Sequence, residues 1–182
     1  MRKILTIFIV LILVVGIVSV AKSTNYDIDT DVSGSWPSTY TSNVRHVVQS
    51  SDGTIVVFYF SAKSGGGLVV RKSTSSGVTD SWTDLAGGAG YTVIDSNYSS
   101  IRGYSIDIDD NDNIYVAYDD DNDIKFMKLE ASPGTWTTWS LGTERTVDAA
   151  NNNAYPSITR QSNGRVWVSY GQDNGTSAWL RA

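Results

Sequence analysis

Three short stretches of apolar and β-branched residues each end in tyrosine: Ile55-Val56-Val57-Phe58-Tyr59, Ile114-Tyr115-Val116-Ala117-Tyr118 and Val166-Trp167-Val168-Ser169-Tyr170. A polar turn precedes each of them: Asp52-Gly53, Asn111-Asp112-Asn113 and Asn163-Gly164. An aliphatic residue stands twelve positions before each tyrosine: Val47, Ile106 and Ile158. The tyrosines are 59 and 52 residues apart. These matches indicate that one strand–turn–strand unit occurs three times in the chain.

The rest of the sequence is typical of an all-β fold. Val, Ile, Thr, Tyr and Trp hold the apolar positions, and Gly, Asn, Asp and Ser recur about every ten residues. A period of roughly 40–60 residues with several strands in each unit indicates a β-propeller or a similar array. We therefore predict a partial β-propeller of about three four-stranded blades, the last one incomplete. A small β-sandwich is the alternative, because strand–turn–strand units look alike in many antiparallel folds.

The three units are expected at 42–98, 99–151 and 152–182. Predicted strands lie near 44–50, 54–60, 67–73 and within 81–94, then near 102–109, 113–119, 123–130 and 135–141, and finally near 155–161, 165–170 and 178–181. Closed propellers have four to eight blades. We therefore expect the chain to be the N-terminal part of a longer propeller.

The N-terminus resembles an export signal. Met1-Arg2-Lys3 is basic, Ile4 to Val20 is almost purely apolar, and Ser19-Val20-Ala21 supplies small residues for cleavage. This pattern predicts a signal peptide over residues 1–21 and a secreted or cell-surface protein. An uncleaved membrane anchor is the alternative, because the apolar run is near the minimum length that spans a bilayer. Residues 22–41 are polar and are expected to form a linker or a loosely attached first strand.

Charge and cysteine content exclude several functions. The chain has 14 Lys and Arg against 19 Asp and Glu, a net charge of −5. This balance argues against nucleic acid as a partner, and it leaves a membrane as a partner only if the N-terminal segment is an anchor. There is no cysteine, which rules out thiolate metal sites and cysteine nucleophiles.

Unit 42–98 carries a recognisable series of motifs: Arg45-His46-Val47-Val48, the turn Asp52-Gly53-Thr54, Val69-Val70-Arg71-Lys72-Ser73, then Gly77 and Ser81-Trp82-Thr83. In this order they resemble the first blade of the sialidase (neuraminidase) superfamily and its Asp-box, or BNR-repeat, relatives. The resemblance is degenerate, because Ser75 stands where an Asp-box has Asp. Unit 99–151 keeps only Gly134-Thr135-Trp136. The resemblance implies a truncated N-terminal portion of such a propeller.

The same resemblance implies a substrate-binding role for Arg45. It aligns with the first of three arginines that hold the substrate carboxylate, a task that suits the two-pronged guanidinium group. The other two arginines would lie beyond residue 182. The alternative is an arginine at the rim of a strand with no ligand.

A run of oxygen-bearing side chains suggests a weak calcium site. Asp107, Asp109 and Asn111 alternate in the way that calcium loops require. The run lacks the glycine and the closing glutamate of an EF-hand, since Tyr118 falls at the twelfth position. It also coincides with the turn of the repeat, so a polar hairpin turn without metal is the alternative. No other cofactor is expected.

We predict no catalytic residue. His46 is the only histidine, and no nucleophile elbow accompanies it. The repeated Tyr59, Tyr118 and Tyr170 are expected to pack between blades, and the recurring basic residues Arg71, Lys128 and Arg181 are expected to mark one repeated structural position. The sequence therefore favours an extracellular propeller segment that binds a glycan or a protein. An N-terminal fragment of an exo-sialidase or related glycoside hydrolase, and a structural cell-surface component, are the alternatives.

Overall fold

The computed structural model describes residues 45–61, 67–75, 78–97, 103–132, 138–149, 153–173 and 178–181. The predicted signal peptide (1–21), the predicted linker (22–41), Gly77 and the Asp-box remnant at 134–136 lie outside these residues. Within them all regular structure is β, which confirms that the fold is all-β. The described residues contain no helix that is long and apolar enough to cross a membrane.

Thirteen strands form three antiparallel sheets. Sheet A contains β1 (Val47–Gln49), β2 (Ile55–Ser61), β3 (Gly67–Ser75), β4 (Val78–Thr83) and β5 (Thr92–Asp95). Sheet B contains β6 (Tyr104–Ile108), β7 (Ile114–Asp120), β8 (Asp123–Ala131), β9 (Trp139–Leu141) and β10 (Arg145–Asp148). Sheet C contains β11 (Asn153–Arg160), β12 (Val166–Asp173) and β13 (Ala178–Arg181).

The sheets repeat one topology. In sheets A and B the first three strands are neighbours in chain order. The outer edge of the third strand pairs with two short strands. Sheet C has the first three strands in the same order. The register repeats as well, since Val47 pairs with Val57, Ile106 with Val116, and Ile158 with Val168. Positions separated by 59 and then 52 residues are therefore structurally equivalent.

Two expectations were wrong in detail. Sheets A and B have five strands each and not four, because the outermost position is divided between β4 and β5, and between β9 and β10. The basic residues do not share one repeated position either. Arg71 lies opposite Val57, Lys128 opposite Tyr115, and Arg181 opposite Tyr170, which are three different places in the repeat.

The first hairpin of each unit closes in the same way. Its two backbone hydrogen bonds recur at Ser50–Thr54 and Gly53–Ser50, at Asp109–Asn113 and Asp112–Asp109, and at Gln161–Arg165 and Gly164–Gln161. The fourth residue of each turn, which donates one of these bonds, has a positive φ: 88° at Gly53, 61° at Asp112 and 85° at Gly164. Glycine occupies this left-handed conformation freely, whereas aspartate adopts it at a cost. Unit 99–151 therefore keeps the turn although aspartate adopts this backbone conformation at a higher free-energy cost than glycine.

The sheets stack face to back. We call front the face of each sheet that carries Val56, or its equivalents Tyr115 and Trp167, and back the opposite face. The front of sheet A (Val56, Phe58, Phe60) and the back of sheet B (Ile114, Val116, Tyr118) form one buried core. The front of sheet B (Tyr115, Ala117) forms a second core with the back of sheet C (Ile158, Val166, Val168). The contact between sheets A and B and the contact between sheets B and C thus both join a front face to a back face.

Candidate functional site

A polar cavity of about 160 Å³ lies where the first strands of the three units (β1, β6 and β11) come together. It is lined by residues from three places in the chain: Arg45 just before β1, Ser105–Asp107 on β6, and Ser157–Thr159 on β11. Sequence-distant residues converge here because β6 lies beside both β1 and β11 in the stack of sheets. Such a convergence of polar side chains is the best candidate for a binding site among the described residues.

Arg45 and Asp107 form an ion pair in this cavity. The Arg45 Nη1 donates to Asp107 Oδ1 at 2.7 Å. The other carboxylate oxygen, Oδ2, accepts the backbone N–H of Arg160 at 2.9 Å. From its position on sheet B, Asp107 therefore connects the start of unit 42–98 to β11, the first strand of sheet C.

The ion pair leaves most of the guanidinium group available. The Arg45 side chain is 54% exposed, and its hydrogen bond to Asp107 uses one of its five N–H donors. Ser157 and Thr159, which also line the cavity, are exposed residues with hydroxyl side chains. Ligand pockets usually measure about 300–1,000 Å³, so a cavity of about 160 Å³ suits an end group and not a whole ligand. A carboxylate with neighbouring hydroxyl groups matches these donors in charge and size.

His46 supports the segment that carries Arg45. Its Nδ1 lies 2.6 Å from the hydroxyl oxygen of Tyr104, and that hydroxyl donates to the backbone oxygen of Phe58 at 2.6 Å. Because the single hydroxyl proton goes to Phe58, the His46 Nδ1 must be the donor to Tyr104. Burial raises the pKa of Tyr104 well above its usual value, so the hydroxyl stays protonated. His46 thus holds sheet A to sheet B, and its contacts are those of a packing residue.

The predicted calcium residues are divided between two roles. Asp107 is in the ion pair, whereas Asp109 accepts hydrogen bonds from the backbone of Asn111 and Asn113, the Asn113 amide and the Tyr115 hydroxyl. Burial alone would raise the pKa of Asp109, but these bonds outweigh it and hold the pKa below its usual value. Within the described residues no three His, Cys, Asp or Glu side chains are grouped to hold a metal ion. The calcium site remains a prediction.

The repeated tyrosines are all buried, and Tyr118 packs in the core between sheets A and B, as predicted for it. The Tyr118 hydroxyl donates to Glu144, and the Tyr170 hydroxyl donates to Asp148 at 2.5 Å. A Tyr–Glu pair matches the tyrosine nucleophile that the resemblance to sialidases would imply. Burial, followed by the hydrogen bond to Glu144, raises the pKa of Tyr118 far above its usual value. A nucleophile needs the opposite shift, so this pair is suited to stabilising the fold.

Sequence reasoning found Arg45 and Asp107 but missed the hydroxyl residues of the cavity. Ser105 and Ser157 are 52 residues apart and occupy the same position of the repeat. The recurrence of serine at this position could have pointed to the cavity. Ser105 also bridges two sheets, because its Oγ accepts the backbone N–H of Ile158 at 3.2 Å.

Comparison of this chain with family models, with curated proteins and with solved structures found no match.

Proposed function

We propose that this chain is an extracellular recognition module of the propeller type. It binds a carboxylate-bearing glycan at the cavity beside the first strands of its three units. The front-to-back stacking of equivalent sheet faces supports the propeller arrangement. A β-sandwich packs two sheets over one shared core, whereas here sheet B has a core on each face. The export signal expected at residues 1–21 supports an extracellular location.

The observation that carries the ligand class is the exposed Arg45 beside the hydroxyl groups of the cavity. Asp107 holds one edge of the guanidinium group and so orients it, as the 2.7 Å ion pair shows. The remaining N–H donors can bind a carboxylate, and Ser157 and Thr159 can bond to sugar hydroxyl groups. The resemblance of unit 42–98 to a sialidase first blade points to the same residue and to the same ligand group.

The test is calorimetric titration of the purified chain with sialic acid and with its uncharged methyl ester. We expect binding of the acid and at least roughly tenfold weaker binding of the ester, since a charge-assisted bond contributes about 1.5–3 kcal/mol. Arg45→Ala should weaken binding of the acid to the level of the ester.

Arg145→Ala is the matched control, because Arg145 is exposed on β10 and is not part of the cavity. Equal binding of acid and ester, or equal loss in both variants, would contradict the proposal. Binding of a carboxylate-bearing peptide but of no sugar acid would assign the same cavity to a protein ligand instead.

A further inference from the structure

Tyr155 is the aromatic residue with a positive φ among the described residues. Its φ is 55°, in the left-handed region that a bulky side chain rarely occupies. Pro156 follows it, and a residue before proline normally takes an extended backbone with negative φ. The backbone of Tyr155 is therefore strained. Such strain persists where the surrounding structure enforces it, and it is concentrated at functional sites.

A β-bulge makes Tyr155 an extra residue of its sheet. In sheet B the first two strands pair without interruption. In sheet C the register shifts between Ala154 and Ser157. Tyr155 and Pro156 therefore both lie opposite Tyr170, whereas the corresponding tyrosine of sheet B has one residue opposite it. Bulges redirect side chains and are frequent beside functional sites.

The burial pattern of β11 places Tyr155 in line with the polar cavity. Pro156 and Ile158 are buried, whereas the residues between and beside them are exposed: Tyr155, Ser157 and Thr159. Because alternate residues of a strand share a face, Tyr155 continues the row whose other two members line the cavity. Tyr155 is 57% exposed, and its side chain makes no hydrogen bond or ring contact with the described residues.

The spacing along β11 determines which part of a ligand Tyr155 reaches. A strand rises about 3.3 Å per residue, so Tyr155 lies roughly 7 Å from Ser157 along the strand. The cavity itself has room for an end group, since its volume is about 160 Å³. A side chain one step beyond the cavity therefore meets the sugar that is joined to the end group.

We propose that Tyr155 is a stacking platform for the second sugar of the ligand. The acidic end sugar places its carboxylate at Arg45, and the adjoining neutral sugar lays the C–H face of its ring on the tyrosine ring. The face of an aromatic ring is electronegative, and the C–H groups of a sugar ring carry partial positive charge, so the two surfaces attract each other. This inference rests on the function proposed above and narrows the ligand to an acidic oligosaccharide of at least two rings.

Calorimetric titration with sialic acid and with sialyllactose tests the platform, because sialyllactose joins the same acid to a neutral disaccharide. Wild-type protein should bind sialyllactose at least roughly fivefold more tightly than sialic acid. Tyr155→Ala should abolish this preference and leave the binding of sialic acid unchanged. Tyr155→Phe should keep the preference, because the ring and not the hydroxyl group makes the contact. Leu141→Ala, which removes an exposed apolar side chain from β9, is the matched control and should bind both ligands as the wild type does.

Two outcomes of this titration would overturn the inference. One is sialyllactose that binds the wild type no more tightly than sialic acid does. The other is an equal loss of both ligands in Tyr155→Ala, which would show that the tyrosine only shapes the cavity. Neither outcome touches the proposed function, which is contradicted instead when Arg45→Ala binds sialic acid as tightly as the wild type.

Lactose alone tests the platform without any carboxylate. In saturation-transfer NMR, its ring protons should receive magnetisation from the wild type and from Arg45→Ala, and none from Tyr155→Ala. An absence of transfer from the wild type would contradict the platform whether or not Arg45 binds a carboxylate. The two proposals can therefore fail separately.

Urea unfolding distinguishes a binding role of Tyr155 from a structural one. Tyr155→Gly relieves the left-handed strain, because glycine adopts a positive φ freely. Its urea midpoint should equal or exceed that of the wild type, while its preference for sialyllactose should be lost. A midpoint well below that of the wild type would show that the tyrosine is retained for folding, and the inference would be wrong.

Discussion

Asp112 offers a quantitative test of how the sheets are held together. Its carboxylate reaches from the hairpin of sheet B to that of sheet A, where it accepts the Ser51 backbone N–H at 2.8 Å and the Ser51 hydroxyl at 2.5 Å. It does so from a left-handed backbone with φ of 61°, where the equivalent residues of the other hairpins are Gly53 and Gly164. Replacement of Asp112 therefore removes two inter-sheet hydrogen bonds and changes the backbone strain at the same time.

The two effects can be separated in magnitude. Hydrogen bonds to a charged group contribute about 1.5–3 kcal/mol each, so two at a partly buried site contribute about 3 kcal/mol. Left-handed backbone costs a residue with a Cβ about 1 kcal/mol. Asp112→Gly should thus lower the free energy of unfolding by about 2 kcal/mol, because it loses the bonds but relieves the strain. Asp112→Ala should lower it by about 3 kcal/mol or more, because no strain is relieved.

Urea unfolding at neutral pH measures these changes. Gly164→Ala calibrates the strain alone: Gly164 has φ of 85°, and a Cβ added there would meet no atom within 4 Å. We expect it to cost about 1 kcal/mol. If Asp112→Gly proved as stable as the wild type, the free energy contributed by the two inter-sheet hydrogen bonds would be no larger than the backbone strain that glycine relieves. The reasoning about sheet contacts would then be wrong.

Three further predictions concern the cavity and its turn. Asp107→Asn should weaken sialic acid binding several-fold, since the amide holds Arg45 less firmly than the carboxylate that orients it in the 2.7 Å ion pair; tighter binding in the same titration would show that Asp107 competes with the ligand and would contradict its orienting role. The pKa of Asp109 is held below its usual value by hydrogen bonds, so the stability it contributes is full above about pH 4, where the unfolded carboxyl is ionised, and is lost as the pH falls through the folded pKa. Asp109→Asn should accordingly flatten the acid limb of a pH series of urea midpoints, and an unchanged limb would count against this assignment. A fluorogenic sialoside should give no turnover with this chain, because the pKa of Tyr118 is raised; turnover that disappears in Arg45→Ala would favour the glycosidase alternative.

The repeat could be predicted from the sequence because tyrosine and the turn residues mark it locally. Val47, Ile106 and Ile158 take equivalent places, and the turn glycines have the positive φ that their positions predict. Strand β10 was missed because Val147 is its one apolar residue and is exposed, so the strand lacks the alternation that indicates a half-buried sheet. Its pairing with β8 determines its conformation, and that is a tertiary effect.

The cavity was only partly predictable for a different reason. Arg45 and Asp107 were each singled out, but with separate roles, and their pairing across 62 residues depends on how one sheet lies on the next. No local sequence pattern determines how far one sheet is shifted relative to the next. Asp107 illustrates the consequence, since the alternation that suggested calcium binding also places its carboxylate where Arg45 and the Arg160 N–H meet.

The divided outer edges of sheets A and B bear on how the protein can associate. A long unpaired strand acts as a template on which other chains add by backbone pairing, as in amyloid. Here β3 and β8 each have their outer side covered by two short strands, so neither offers such a template. Growth by edge addition is therefore disfavoured at these two sheets, and assembly is directed to side-chain surfaces, where sequence can specify the partner.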